Sequence, residues 1–311
     1  MSTIQDIYQQ AQLAEAAYAN FVIGSGLIAT RDELKTALEA EGMSTAQATE
    51  FITHWKVVDQ YTATAWGGLT DGSGFSATVF EKLDANGNGT GQYSFAARGT
   101  QVGLWPPTTA DLSADIGDIV ADGIALDQVV DMYNYWQSLN TSGVYQAAKL
   151  ETSLVETAAL NLLLPGAIRD AAIAALKASG AILDSTLGGL TIEVRRIVTG
   201  DSNILLADTP LATGSGVLVG TAGVNVDGHS LGGHLAMAFS RLFPDATNSV
   251  VAVNGAGFNL ADSNVNALFT ALGGASGFDA GKITNVVGSF YRDAANDECI
   301  AHHRQYEREV A

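Results

Sequence analysis

Apolar residues recur at helical spacing from the start of the chain, where Ile4, Ile7, Tyr8, Ala11, Ala14, Tyr18 and Phe21 mark one face. Thr30-Arg-Asp-Glu33 and Ser44-Thr-Ala-Gln47 each set a hydroxyl three residues ahead of a side chain that can cap in return. Both patterns open helices, so residues 1–60 read as a helical N-terminal extension. From Phe75 the period changes to two. Phe75 to Phe80 and Gln92 to Arg98 flank Asp84-Ala-Asn-Gly-Asn-Gly-Thr-Gly91, which predicts a β-hairpin.

Ile116, Ile119, Val120, Ile124, Val129, Val130, Tyr133 and Trp136 form a second helical stripe. Residues 145–183 keep a helical character, interrupted at Pro165-Gly166. Val224 to Asp227 and Ser249 to Asn254 are short apolar strands with Leu231 to Phe243 helical between them, and Ile283 to Val287 is one more strand. Late strands alternating with helices predict an α/β fold around a mostly parallel sheet. No repeat, low-complexity linker or composition boundary divides the chain, which reads as a single domain over 1–311.

Composition narrows the function classes. Fifteen basic against thirty-three acidic residues give a net charge of −18, a surface that repels nucleic acid and anionic lipid headgroups. The one cysteine, Cys299, excludes an internal disulfide and a cysteine-based zinc site, and no metal ligand set stands out. Met1 to Asp6 lacks the basic start of a cleavable signal peptide, and no run of about 18 apolar residues predicts a membrane-spanning helix. Eight of the twenty residues from Arg292 to Ala311 are charged, against 15% over the chain. This atypical end reads either as a solvated C-terminal helix or as a truncated or foreign ending.

Gly228-His229-Ser230-Leu231-Gly232 matches G-x-S-x-G, with a predicted strand before it and an amphipathic helix after it. Strand, sharp turn and helix is the context of a nucleophile elbow. The serine sits at a strained apex, Gly228 and Gly232 leave room for it, and the helix N-terminus favours developing negative charge. Upstream, Ser94-Phe-Ala-Ala-Arg98 runs into Gly99-Thr100-Gln101, a turn able to offer a backbone N–H to an oxyanion.

Ala97-Arg-Gly-Thr100, Asp111-Leu-Ser-Ala-Asp115 and Gly228-His-Ser-Leu-Gly-Gly-His-Leu-Ala236 together resemble the class 3 lipases of the α/β-hydrolase superfamily. Within these, the chain is most similar to bacterial lipases and phospholipase A1 enzymes exported by type I secretion. The resemblance implies an α/β-hydrolase-like sheet, Ser230 as nucleophile, and the N–H groups of Thr100 and Leu231 as the oxyanion hole. It also implies a lid between them and Asp111, with Leu104 and Trp105 as lipid contacts. Val155 to Leu164 is a rival acyl-pocket segment. A lipid ester, or a lipid–water interface, is then the partner, and the location is extracellular. No cofactor is expected; calcium enters only through the resemblance, and the glycine-rich calcium repeats of the exported relatives are absent.

Such an enzyme needs an acid and a histidine after the serine. His54 precedes the sheet, His229 fills the variable elbow position, and His234 lies one helical turn beyond the nucleophile. His302 and His303 remain. Near the end of the last strand stand Asp293, Asp297 and Glu298, whereas Asp279 is at the wrong edge. Asp293 with His302 or His303 makes a compressed triad, because class 3 lipases space acid and histidine by roughly fifty residues. The other expectation is a chain that stops before the family's histidine, a catalytically incomplete, cytoplasmic hydrolase fragment that at most binds acyl chains. Three weaker signals are set aside: Asp84 to Gly89 reads as a hairpin turn and not a calcium loop, Thr213 to Gly223 as a flexible connector, and Asp111, Asp115 and Asp118 as a helix start.

Overall fold

The computed structural model describes residues 3–23, 26–27, 30–63, 73–99, 124–156, 166–168, 171, 182–186, 191–198, 211–260, 263–292 and 299–306. Three helices open the chain, α1 (Ile4–Ala16), α2 (Arg31–Ala40) and α3 (Thr45–His54), with two short antiparallel strands, β1 (Val22–Ile23) and β2 (Gly26–Leu27), between α1 and α2. Both expected capping boxes form. Thr30 Oγ1 accepts from Glu33 N at 3.3 Å while Glu33 Oε2 accepts from Thr30 N at 3.1 Å, and Ser44 and Gln47 repeat the exchange. Thr3 and Asp6 make a third box at the start of α1.

Seven strands form the main sheet: β3 (Trp55–Thr62), β4 (Ser76–Leu83), β5 (Gly89–Ala97), β11 (Val224–His229), β12 (Thr247–Val253), β13 (Ile283–Arg292) and β14 (Cys299–Tyr306), in the order β14-β13-β12-β11-β5-β4-β3. The central pairs β5/β11, β11/β12 and β12/β13 are parallel, and the flanking pairs β3/β4, β4/β5 and β13/β14 are antiparallel. Parallel neighbours need crossovers. Helix α5 (Leu231–Leu242) crosses from β11 to β12, and α6 (Ser263–Ala271) from β12 to β13. The chain is an α/β protein with a mixed central sheet, parallel through its middle.

Period-two alternation decides which side chain meets which helical layer. Phe95, Ala97, Val79, Val224 and Val226 enter a cluster with α5 and with helix α4 (Leu126–Asn140). Ala96 and Phe80 enter the opposite cluster, with Leu13, Phe21, Leu38 and Phe51 of the N-terminal segment. The sheet is therefore covered on both faces.

Four expectations are corrected. Residues 55–62 of the supposed helical extension are β3, where Trp55, Val57, Val58, Tyr61 and Thr62 are branched or aromatic side chains that suit a pleated surface. The helical reading of 145–183 gives way at both ends to strands β6 (Ser142–Gln146), β7 (Lys149–Glu156) and β8 (Ile182–Thr186), while 166–168 and 171 are helical. Strands β7 and β8 pair with β9 (Thr191–Val198) in a separate antiparallel sheet. Leu150, Thr152 and Leu154 alternate at period two there, a signal that the Leu- and Ala-rich composition obscures. The supposed connector at 213–223 begins inside β10 (Leu211–Ser215), which pairs with β6. Within the charged C-terminal segment, residues 299–306 are the strand β14 and not a helix.

Candidate active site

Ser230 stands between β11 and α5 with φ 55° and ψ −121°, a conformation that side-chain-bearing residues seldom adopt. Its backbone N–H donates to Val253 O at 2.8 Å, and its own carbonyl accepts from Gly233 N at 3.0 Å and His234 N at 3.2 Å. The apex is thus tied to β12 on one side and to the first helical turn on the other. Ser230 is exposed, whereas every residue of α5 behind it is buried.

The glycines around it have no room for a side chain. A Cβ on Gly228 would lie 2.0 Å from Gly232 O, and one on Gly232 would lie 2.2 Å from Ala97 O. On Gly99 it would fall 2.5 Å from His229 O, and on Gly233 2.8 Å from Gly255 Cα. Backbone therefore packs on backbone, and the end of β5 is pressed directly against the elbow. Leu231, at the first turn of α5, has no preceding helical carbonyl for its N–H, and that end carries the positive side of the helix dipole. Gly99, just past the end of β5, and the elbow that opens α5 are neighbours.

The histidines sort by environment. His234 is fully buried and stacked on Phe258, with ring centroids 4.0 Å apart. Ala125 N donates to its Nε2 at 3.5 Å, which leaves Nδ1–H to donate to Ala256 O at 3.0 Å. Burial lowers its pKa to about 4, so it is a neutral strut with both nitrogens occupied. His229 is half-buried, its Nδ1 lies 3.0 Å from Tyr18 Oη, and burial lowers its pKa. His54 is exposed on α3 and bonds to its own helix at Glu50 O.

His302 and His303 lie in β14 opposite Ser289 and Gly288. The structure does not bring their backbone to Ser230. His229 aligns with Val253 and Val253 with Val286, so the two histidines sit beyond the level of the elbow and three strands away. Three steps of about 4.8 Å are about 14 Å, more than a histidine side chain spans. The backbone of His302 and His303 in β14 therefore lies beyond side-chain reach of Ser230. Asp293, the expected acid, lies outside the described residues, as do Thr100, Leu104, Trp105, the Asp111 to Asp118 series and 157–164 of the rival acyl segment. Asp279 precedes β13, at the edge opposite Ser230, and bonds to Gly281 N at 2.9 Å. Among the described residues no group of three or more His, Cys, Asp or Glu is placed to hold a metal ion. Asp84 spends its carboxylate on its own hairpin loop, accepting from Asn86 N at 2.9 Å and Asn88 N at 2.8 Å.

Two residues of the site carry no sequence motif. Tyr18 meets the elbow from the end of α1 across 211 positions, and only its place on the apolar stripe singles it out. Asp227, three residues before Ser230, is fully buried beneath α1; it accepts from Ser94 Oγ, and its Oδ1 has no partner among the described residues. Burial holds its pKa well above the usual carboxylate range. The chain matches no protein-family model, no curated protein and no solved structure.

Proposed function

We propose that this chain is a serine carboxylic-ester hydrolase, a lipase or phospholipase A1, that cleaves lipid acyl esters through an acyl-enzyme on Ser230. The supporting observation is the elbow: an exposed serine at φ 55° on a strand-to-helix turn whose flanking glycines admit no side chain. In this reading Ser230 Oγ attacks the ester carbonyl. The tetrahedral oxyanion is held by the N–H groups of Leu231 and Thr100, and the alcohol leaves as the proton is returned to it. The lipid-ester class, the lid contacts of Leu104 and Trp105, and an extracellular location rest on the likeness of residues 97–100, 111–115 and 228–236 to class 3 lipases.

The proton acceptor in this reading is His302 or His303, oriented by Asp293. From its place in β14 either histidine must move several ångströms toward the elbow. That requirement gives a second reading its footing: an elbow without an engaged base, whose hydrolysis falls by several orders of magnitude. Hydrolysis of p-nitrophenyl butyrate and palmitate by the parent and by Ser230→Ala separates the two. The first reading expects turnover that the substitution abolishes, and the second expects parent and variant to be equally inert.

A further inference from the structure

The end of α1 reaches the elbow through one side chain. Tyr18 Oη lies 3.0 Å from His229 Nδ1, the residue before the serine. It also rests on the end of β5, where a Cβ on Gly99 would fall 2.3 Å from that hydroxyl. Where the Tyr18 O–H donates to His229 Nδ1, the neutral imidazole carries its proton on Nε2.

Tyr18 is itself held in place. Gln60 on β3 accepts from Phe21 N at 2.7 Å and donates to Ala19 O at 2.8 Å and to Thr78 Oγ1 at 2.9 Å, which ties the turn after α1 to the sheet. One hydroxyl thus spans Gly99, just past the end of β5, and His229 of the elbow after β11. Those segments touch backbone to backbone.

We infer that Tyr18 is a positioning residue for ester hydrolysis, its hydroxyl fixing the Gly99 turn against the His229–Ser230 elbow so that the oxyanion donors keep their spacing. The inference rests on the ester-hydrolase reading above. Donor spacing acts on the transition state more than on the bound ester, so its loss lowers kcat and leaves KM alone.

The test is steady-state hydrolysis of p-nitrophenyl butyrate by the parent, Tyr18→Phe, His229→Leu, His229→Asn and the Tyr18→Phe/His229→Leu double variant, with thermal unfolding of each. The expected result is a kcat fall of about 10- to 100-fold for Tyr18→Phe, with KM within about twofold and an unchanged melting temperature. His229→Leu falls similarly and the double variant no further, whereas His229→Asn, which keeps an acceptor, retains most turnover. If Tyr18→Phe does not fold, the contrast between His229→Asn and His229→Leu reads the same contact. A folded Tyr18→Phe with parental kcat overturns the inference and leaves the hydrolase reading intact. A parent with no Ser230-dependent turnover overturns that reading and the inference with it.

Discussion

A serine at φ 55° and ψ −121° costs the folded chain about 1–3 kcal/mol, and only glycine relaxes there. Ser230→Gly is therefore expected to unfold at higher denaturant than Ser230→Ala, by about 1 kcal/mol after allowing for glycine's looser unfolded state, while neither hydrolyses ester. Equal stability of the two variants would show that the apex is unstrained. Crowding gives the opposite sign next door. Gly232→Ala drives a Cβ to 2.2 Å from Ala97 O and is expected to cost about 3 kcal/mol or more, whereas Gly277→Ala, with nothing within 4 Å, should be near neutral in the same urea titration. His234 adds a pH dependence. Its folded pKa of about 4 lies below the unfolded 6.5, so the stability it contributes is present above pH 6.5 and is lost as pH falls through 4. The full difference is about 3 kcal/mol, read as the gap between urea midpoints at pH 7 and pH 4 that shrinks in His234→Gln.

Strand β11 works on both faces. Val224, Val226 and Gly228 serve the α4–α5 side, while Asn225, Asp227 and His229 form a polar line under α1. Asp227 is the sensitive point. Its folded pKa is raised by burial, so its contribution is present below the unfolded carboxylate range and is lost as pH rises toward the folded value. Asp227→Asn is expected to gain stability relative to the parent between pH 5 and pH 8. A pH-independent difference in thermal unfolding would contradict this. Element by element, the sequence was most legible where local chemistry and tertiary need agree. The capping boxes of α2 and α3, the 84–91 hairpin and the β11–Ser230–α5 elbow all form where the residues place them. It was least legible at 142–156, where alternation carried by Leu and Thr competes with helix-forming composition. The elbow was readable because G-x-S-x-G constrains neighbours in sequence. Tyr18 and Asp227 were not, because a contact across 211 positions and a carboxyl buried by a distant helix leave no local pattern.

For the whole molecule, a net charge of −18 sets how it meets a membrane surface. Sedimentation with phosphatidylglycerol vesicles at low salt is expected to show little bound protein, with more binding as salt or divalent cation screens the repulsion. Tight binding at low salt without divalent cation would overturn this. No helix among the described residues is long and apolar enough to cross a membrane. Two helical layers, the N-terminal one and the α4–α5 one, hold a sheet whose parallel middle ends at the elbow, and this places Ser230 at the surface. The central claim is that this serine is a working nucleophile. Intact-mass measurement after incubation with an alkyl fluorophosphonate tests it most directly. The account predicts one stoichiometric adduct, located on the peptide carrying Ser230 and absent from Ser230→Ala; a parent that stays unmodified while folded, or an adduct at another residue, would contradict it.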